Sequence, residues 1–133
     1  MFATELYADE WKGAYDEGSE YYNPNEDVII AALRKLDGRS RTLVMLRDNG
    51  EANLVVGGGE YGRYVVYGTF GNQSFQVLTR HADSDLMVTV NAGGQTGEYP
   101  ERWVVGLGEA TQAALAFAVN GILDRSLTWE LRT

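Results

Sequence analysis

Twenty residues, Glu51 to Phe70 (EANLVVGGGEYGRYVVYGTF), restrict what this chain can fold into more than any others. A largely β-branched run at Leu54, Val55 and Val56 is broken by Gly57, Gly58 and Gly59, and alternation resumes from Arg63 through Tyr64, Val65, Val66 and Tyr67. Glycine supplies positive φ and lets backbones approach closely, so the pattern predicts strand, turn, strand. The same letters satisfy G-x-G-x-x-G at Gly57, Gly59 and Gly62. A dinucleotide site would need a helix opening at the last glycine, because its free N–H groups hold the pyrophosphate. Here a strand pattern follows. A kinase-type glycine loop would also need a lysine strand, an H-R-D loop and a D-F-G segment downstream, and the sequence has none of these. No nucleotide or other cofactor is therefore expected.

The flanking segments extend the hairpin into a sheet. Thr42 to Arg47 reads as a strand, Asp48-Asn49-Gly50 as a short turn, and Ala52 to Val56 as the strand that pairs back, giving a three-strand meander. Ser74 to Thr79 and Leu86 to Val90 are further strand candidates, with His81 to Asp85 as a polar connection. Asn91 to Arg102 has three glycines and a proline, which predicts a long exposed loop, and Trp103 to Val105 reads as a last short strand. Two helices are expected. Asn25 can cap a helix over 26–37 in which Val28, Ile29, Ala32, Leu33 and Leu36 share a face, with Gly38 as its stop. Leu107, Ala110, Ala114, Phe117 and Ala118 recur at helical spacing over 107–119, ahead of Gly121. Phe2 to Tyr7 reads as an edge strand and Glu10 to Asn23 as a ring-studded loop. The fold class is α+β, a mainly antiparallel sheet with both helices packed on one face.

The 133 residues suit one domain, 1–133. No apolar run is long enough to span a membrane, the N-terminus lacks a secretory pattern, and the chain has no cysteine for disulfides or thiolate metal sites. A soluble, cytoplasmic protein is the expectation, so the sequon Asn72-Gln73-Ser74 is taken as chance. Charge is unevenly placed. Residues 1–27 hold eight acids and one lysine, a net −7 of the total −8. Such a segment repels nucleic acid and steers a basic partner.

Catalytic groups are sparse. His81 is the only histidine, with Asp83 and Asp85 close by, but no serine sits in a G-x-S-x-G turn. Asp83-x-Asp85 lacks the glycine and distal glutamate of a calcium loop. No catalytic residue and no metal ligand is assigned. A small hydrolase using His81 with Asp83 or Asp85, and an effector chaperone or adaptor, stand as alternatives to a non-enzymatic binding module.

A meander, the V-V-G-G-G-E-Y-G-R-Y-V-V-Y hairpin, W-V-V-G leading into an alanine-rich helix, and a closing S-L-T-W-E-L follow one another. This order resembles the type 1 immunity protein family of bacterial polymorphic toxin systems over about residues 27–131. The join at Val104 to Glu109 and the segment Leu127 to Leu131 carry the resemblance most specifically. Gly106 stands where members have a serine-type helix cap, and Ser126 where a proline is common. The resemblance implies a small cytoplasmic protein without an active site that binds one cognate toxin and blocks it, the targets in such families including nucleic-acid deaminases and nucleases. Tyrosine and tryptophan are enriched at binding hot spots, which makes Asp9, Glu10, Trp11, Tyr15, Asp16, Glu17, Tyr21 and Tyr22 the candidate toxin-binding set. Glu60, Tyr61, Glu98 and Tyr99 form a second candidate surface. Trp103, Phe117 and Trp129 are expected in the core or at its edge.

Overall fold

The computed structural model describes residues 1–71 and 74–132; Asn72 and Gln73 of the sequon lie outside them. Eleven strands are present among the described residues: β1 (Glu5–Ala8), β2 (Trp11–Lys12), β3 (Tyr15–Asp16), β4 (Ser19–Tyr22), β5 (Leu43–Arg47), β6 (Ala52–Gly58), β7 (Tyr64–Phe70), β8 (Phe75–Thr79), β9 (Met87–Ala92), β10 (Gln95–Pro100) and β11 (Thr128–Arg132). The helices are α1 (Glu26–Arg34) and α2 (Leu107–Asn120). Seven strands form one antiparallel sheet in the order β11-β8-β7-β6-β5-β1-β4. The expected α+β architecture is the observed one.

Strand alternation divides the sheet into two faces. Leu6, Val44, Leu46, Leu54, Val56, Val66 and Leu78 meet the helices in the main core with Ile29, Leu33, Ala110, Ala114 and Phe117. On the other face Val65 packs against Val90 and Val104, beneath the hairpin of β9 and β10. Gly57 makes that second layer possible, since a Cβ there would lie 2.5 Å from Ala92 Cβ. Phe117 is fully buried, with Phe2 against it edge-on at 5.5 Å, whereas Trp103 and Trp129 are half-buried at the core's edge.

Several sequence expectations need correction. β1 is not an edge strand: it lies between β5 and β4, because residues 10–23 are not a loop but a small hairpin, β2–β3, followed by β4. Their alternation is too short to register against the acids between them. α1 ends at Arg34, three residues before the expected 37, with Lys35 as its cap. Asn25 caps as expected, accepting from Val28 N–H at 2.9 Å. Residues 91–102 are not a loop either. Gly93 and Gly94, both at positive φ, make a two-residue turn between β9 and β10. Trp103 to Val105 is no strand: Glu101–Trp103 form a 3-10 turn and only Val105 bridges, to Tyr64. β11, unassigned from the sequence, pairs with β8 and puts Trp129 opposite Leu78.

Two departures from the family pattern have local explanations. Gly106 caps α2 without a side chain, and the half of a capping box that remains is Glu109, which accepts from the Gly106 N–H at 3.2 Å. Ser126 uses the N–H that proline would lack, donating to Asp124 Oδ1 at 2.9 Å.

At the hairpin tip Gly59 has φ +119, and a Cβ there would lie 2.5 Å from the carbonyl carbon and oxygen of Leu36. Backbone cannot move aside as a side chain can. Gly59→Val should therefore cost about 1–3 kcal/mol, read as a lower urea midpoint at unchanged slope. Millimolar ATP or NAD should leave the melting temperature where it is.

Candidate functional site

The acidic N-terminal segment is docked rather than loose. Asp9 is 2 % exposed. One carboxylate oxygen accepts from the N–H groups of Thr42 (2.7 Å) and Leu43 (2.9 Å); the other accepts from Trp11 Nε1 (2.8 Å) and the Thr42 hydroxyl. Thr42, itself buried, accepts from Gly94 N–H at 2.9 Å through its hydroxyl and from Gly58 N–H at 2.9 Å through its carbonyl. Asp9 and Trp11 are thus parts of a buried joint, not a rim charge and a free ring. Asp16 is also committed, accepting from Glu10 N–H (3.0 Å), Gly18 N–H (2.8 Å) and the Tyr7 hydroxyl. Glu10 pairs with Arg41, and Glu5 with Arg47.

The acids left free are fewer than the sequence suggested. Glu17, Glu20, Glu26 and Asp27 are exposed and have no ion pair among the described residues. Tyr15 is 77 % exposed and Tyr22 69 %, while Tyr21 is partly covered. Tyr22 donates to Glu20 Oε2 at 3.2 Å, a bond to a carboxylate that raises its phenol pKa. The end of the sheet at β4 and the β2–β3 hairpin is therefore an acidic surface set with rings.

The second candidate surface is divided. Glu60 and Tyr61 lie on a 3-10 turn where Tyr61 has φ +57 and is 79 % exposed, with the Arg63 guanidinium 5.7 Å from its ring centroid. Glu98 sits opposite Thr89 on the outer face of its hairpin, near this tip. Tyr99, one residue on, points inward and lines an apolar cleft of about 300 Å³ with Val65, Tyr67, Phe75, Val77 and Trp103. Burial, with the neighbouring Tyr99, raises the Tyr67 phenol pKa. Beside this cleft Arg102 holds the Glu130 carboxyl below the usual carboxylate range, despite partial burial and with help from Trp103 Nε1–H.

One loop joins the two surfaces. Burial pushes the Asp37 carboxyl up, but the N–H groups of Arg39, Arg41 and Ser40 outweigh it and hold the pKa low. From that ordered turn Arg39 pairs with Glu60 at 3.5 Å, and the Ser40 carbonyl accepts from Trp11 N–H at 2.7 Å. The tip and the β2–β3 hairpin consequently share one end of the molecule.

His81 Nε2 lies 2.8 Å from Asp83, and the two side chains are 87 % and 93 % exposed. Among the described residues no cluster of three or more His, Cys, Asp or Glu is placed to hold a metal, and no helix is long and apolar enough to cross a membrane.

The family model for immunity protein Imm1 matches residues 17–131. The chain belongs to the Imm1 family. Its function is accordingly that of an immunity protein, and its partner a toxin protein. The match begins ten residues before the resemblance seen in the sequence and takes in β4. No curated protein matches the chain.

Removing the buried carboxylate should loosen the joint without touching the exposed acids. Asp9→Ala leaves two buried N–H groups and an indole N–H without an acceptor, a loss of about 3 kcal/mol. Urea unfolding should show it, with Glu17→Ala as the near-neutral control.

Proposed function

We propose that this Imm1 protein neutralises its cognate toxin by stoichiometric binding that covers the toxin's active site, and that the toxin acts on nucleic acid as a deaminase or nuclease. One observation carries the proposal: four exposed carboxylates without an ion pair and the rings of Tyr15, Tyr21 and Tyr22 fall within residues 15–27, on the edge strand β4 and the segments directly before and after it. Proteins that handle DNA or RNA present basic grooves, which such a surface complements as the phosphate backbone does. The tip at Glu60 and Tyr61, with Glu98, extends the same surface. Arg41 and Arg47 neutralise Glu10 and Glu5 and fasten the segment, so the steering charge is Glu17, Glu20, Glu26 and Asp27.

The test is association with a catalytically inactivated toxin domain followed in real time. Neutralising Glu17, Glu20, Glu26 and Asp27 together should slow association and flatten its salt dependence, because fields of exposed charge are screened over about 8 Å at physiological ionic strength. Tyr15→Ala and Tyr22→Ala should chiefly speed release, by about tenfold or more for a hot-spot ring. Wild-type association that is the same at low and high salt would count against electrostatic capture. His81→Ala should protect toxin-expressing cells as well as wild type does; loss of protection with the fold intact would favour an enzymatic role.

A further inference from the structure

β4 is a free edge of the seven-stranded sheet, and its register shows which backbone groups are unused. Its partners on β1 run from Glu5 opposite Tyr22 to Ala8 opposite Ser19. Beyond each end the same register continues: Asn23 N–H donates to the Thr4 carbonyl at 2.7 Å, and Glu17 N–H to the Glu10 carbonyl at 2.7 Å. Bonded and non-bonded pairs alternate in an antiparallel ladder. Ser19 and Tyr21 thus bond inward to β1, while Glu20 and Tyr22 turn their N–H and C=O groups outward. No described residue bonds to those outward groups. Exposed edges are commonly blunted by proline, lysine, a bulge or a covering loop. β4 has neither proline nor lysine, and all four of its residues are exposed.

Two further features specify what could pair there. On the helix-facing side, Ala8, Tyr21, Val28, Ala32, Leu36 and Val44 line an open pocket of about 160 Å³ between α1 and the sheet, with Asp9, Lys35 and Arg41 also on its wall. That is room for about one side chain, its floor apolar and its rim polar. Glu20 on the strand, Glu17 just before it, and Glu26 and Asp27 in the first turn of α1 after it make this stretch of chain strongly acidic. The opposite edge, β11, lacks this charge, since Arg102 and Arg132 bridge its Glu130.

We propose that β4 accepts an extended basic segment of the toxin as an eighth strand of the sheet, with one apolar side chain of that segment seated in the pocket under α1. Main-chain pairing supplies affinity and the side-chain pocket supplies selectivity, as in other strand-addition complexes. The proposal rests on the toxin-binding reading above and adds its mode.

The decisive variants separate backbone from side chain at Glu20. Glu20→Ala removes the charge but keeps the outward N–H. Glu20→Pro removes the N–H as well, at a position where that group bonds nothing in the protein and where the preceding Ser19 is already extended, as proline requires. With full-length protein and the inactivated cognate toxin domain, Glu20→Ala should slow association a few-fold and leave the lifetime of the complex nearly unchanged. Glu20→Pro should melt with wild type and shorten that lifetime about 30-fold. Ala32→Trp, which fills the pocket without touching the edge, should shorten it about tenfold. Should Glu20→Pro melt early, amide exchange on the wild-type pair decides: the Glu20 and Tyr22 amides become protected on binding, or the proposal fails. Equal lifetimes for Glu20→Pro and wild type would overturn strand addition while leaving toxin binding intact. So would a dimer of this chain joined through β4. Absence of any wild-type complex would instead bring down the toxin-binding reading itself.

Discussion

The hydrogen bonds between the buried Asp9 carboxylate and Thr42 are the joint on which the rest of the arrangement depends. Asp9 directly follows β1, and Thr42 directly precedes β5. Through its hydroxyl and carbonyl Thr42 also engages Gly94, at the turn of the upper hairpin, and Gly58, at the end of β6. Four chain segments meet within hydrogen-bond distance of these two residues. A buried carboxylate is costly unless its oxygens are satisfied, and here four donors satisfy them. The acidic segment that follows is thereby held against the sheet in one position.

That placement decides how the charge is used. Of the eight acids in the first 27 residues, Asp9 is buried, Asp16 is taken up by local donors, and Glu5 and Glu10 are paired with Arg47 and Arg41. The remaining four face solvent. A segment that looks uniformly acidic is thus divided into groups that fasten the structure and groups that can meet a partner. Ordering before binding reduces the entropy that association must overcome, a benefit that a flexible acidic tail would forgo.

The proposed surface is not read off one stretch of chain. Tyr61 comes to the end where β2 and β3 lie because the turn of residues 37–41 touches both, through Arg39 on one side and Ser40 on the other. Tyr99 does not join it, since the pleat sends Glu98 outward and Tyr99 inward.

The sequence by itself determined the central meander, the presence of both helices, the Asn25 cap and the Gly121 stop, and the α+β class, because those depend on local signals: β-branched alternation, glycine at the turns, Asn25 before an apolar stripe. It also carried enough of the Val104 to Glu109 join and the Leu127 to Leu131 closure to indicate the immunity-protein family before any coordinates. Only the tertiary structure decided that β4 exists as an edge, that β9 and β10 form a second layer over Gly57, and that β11 completes the sheet. Those are pairings of short or glycine-rich segments with weak intrinsic preference, and a strand of that kind is stable only once a neighbour supplies its hydrogen bonds. The division of the acids into buried, paired and free lies beyond local sequence for the same reason: Asp9 and Glu17 carry the same charge, and it is the tertiary neighbour, Thr42 beside one and solvent beside the other, that separates their roles.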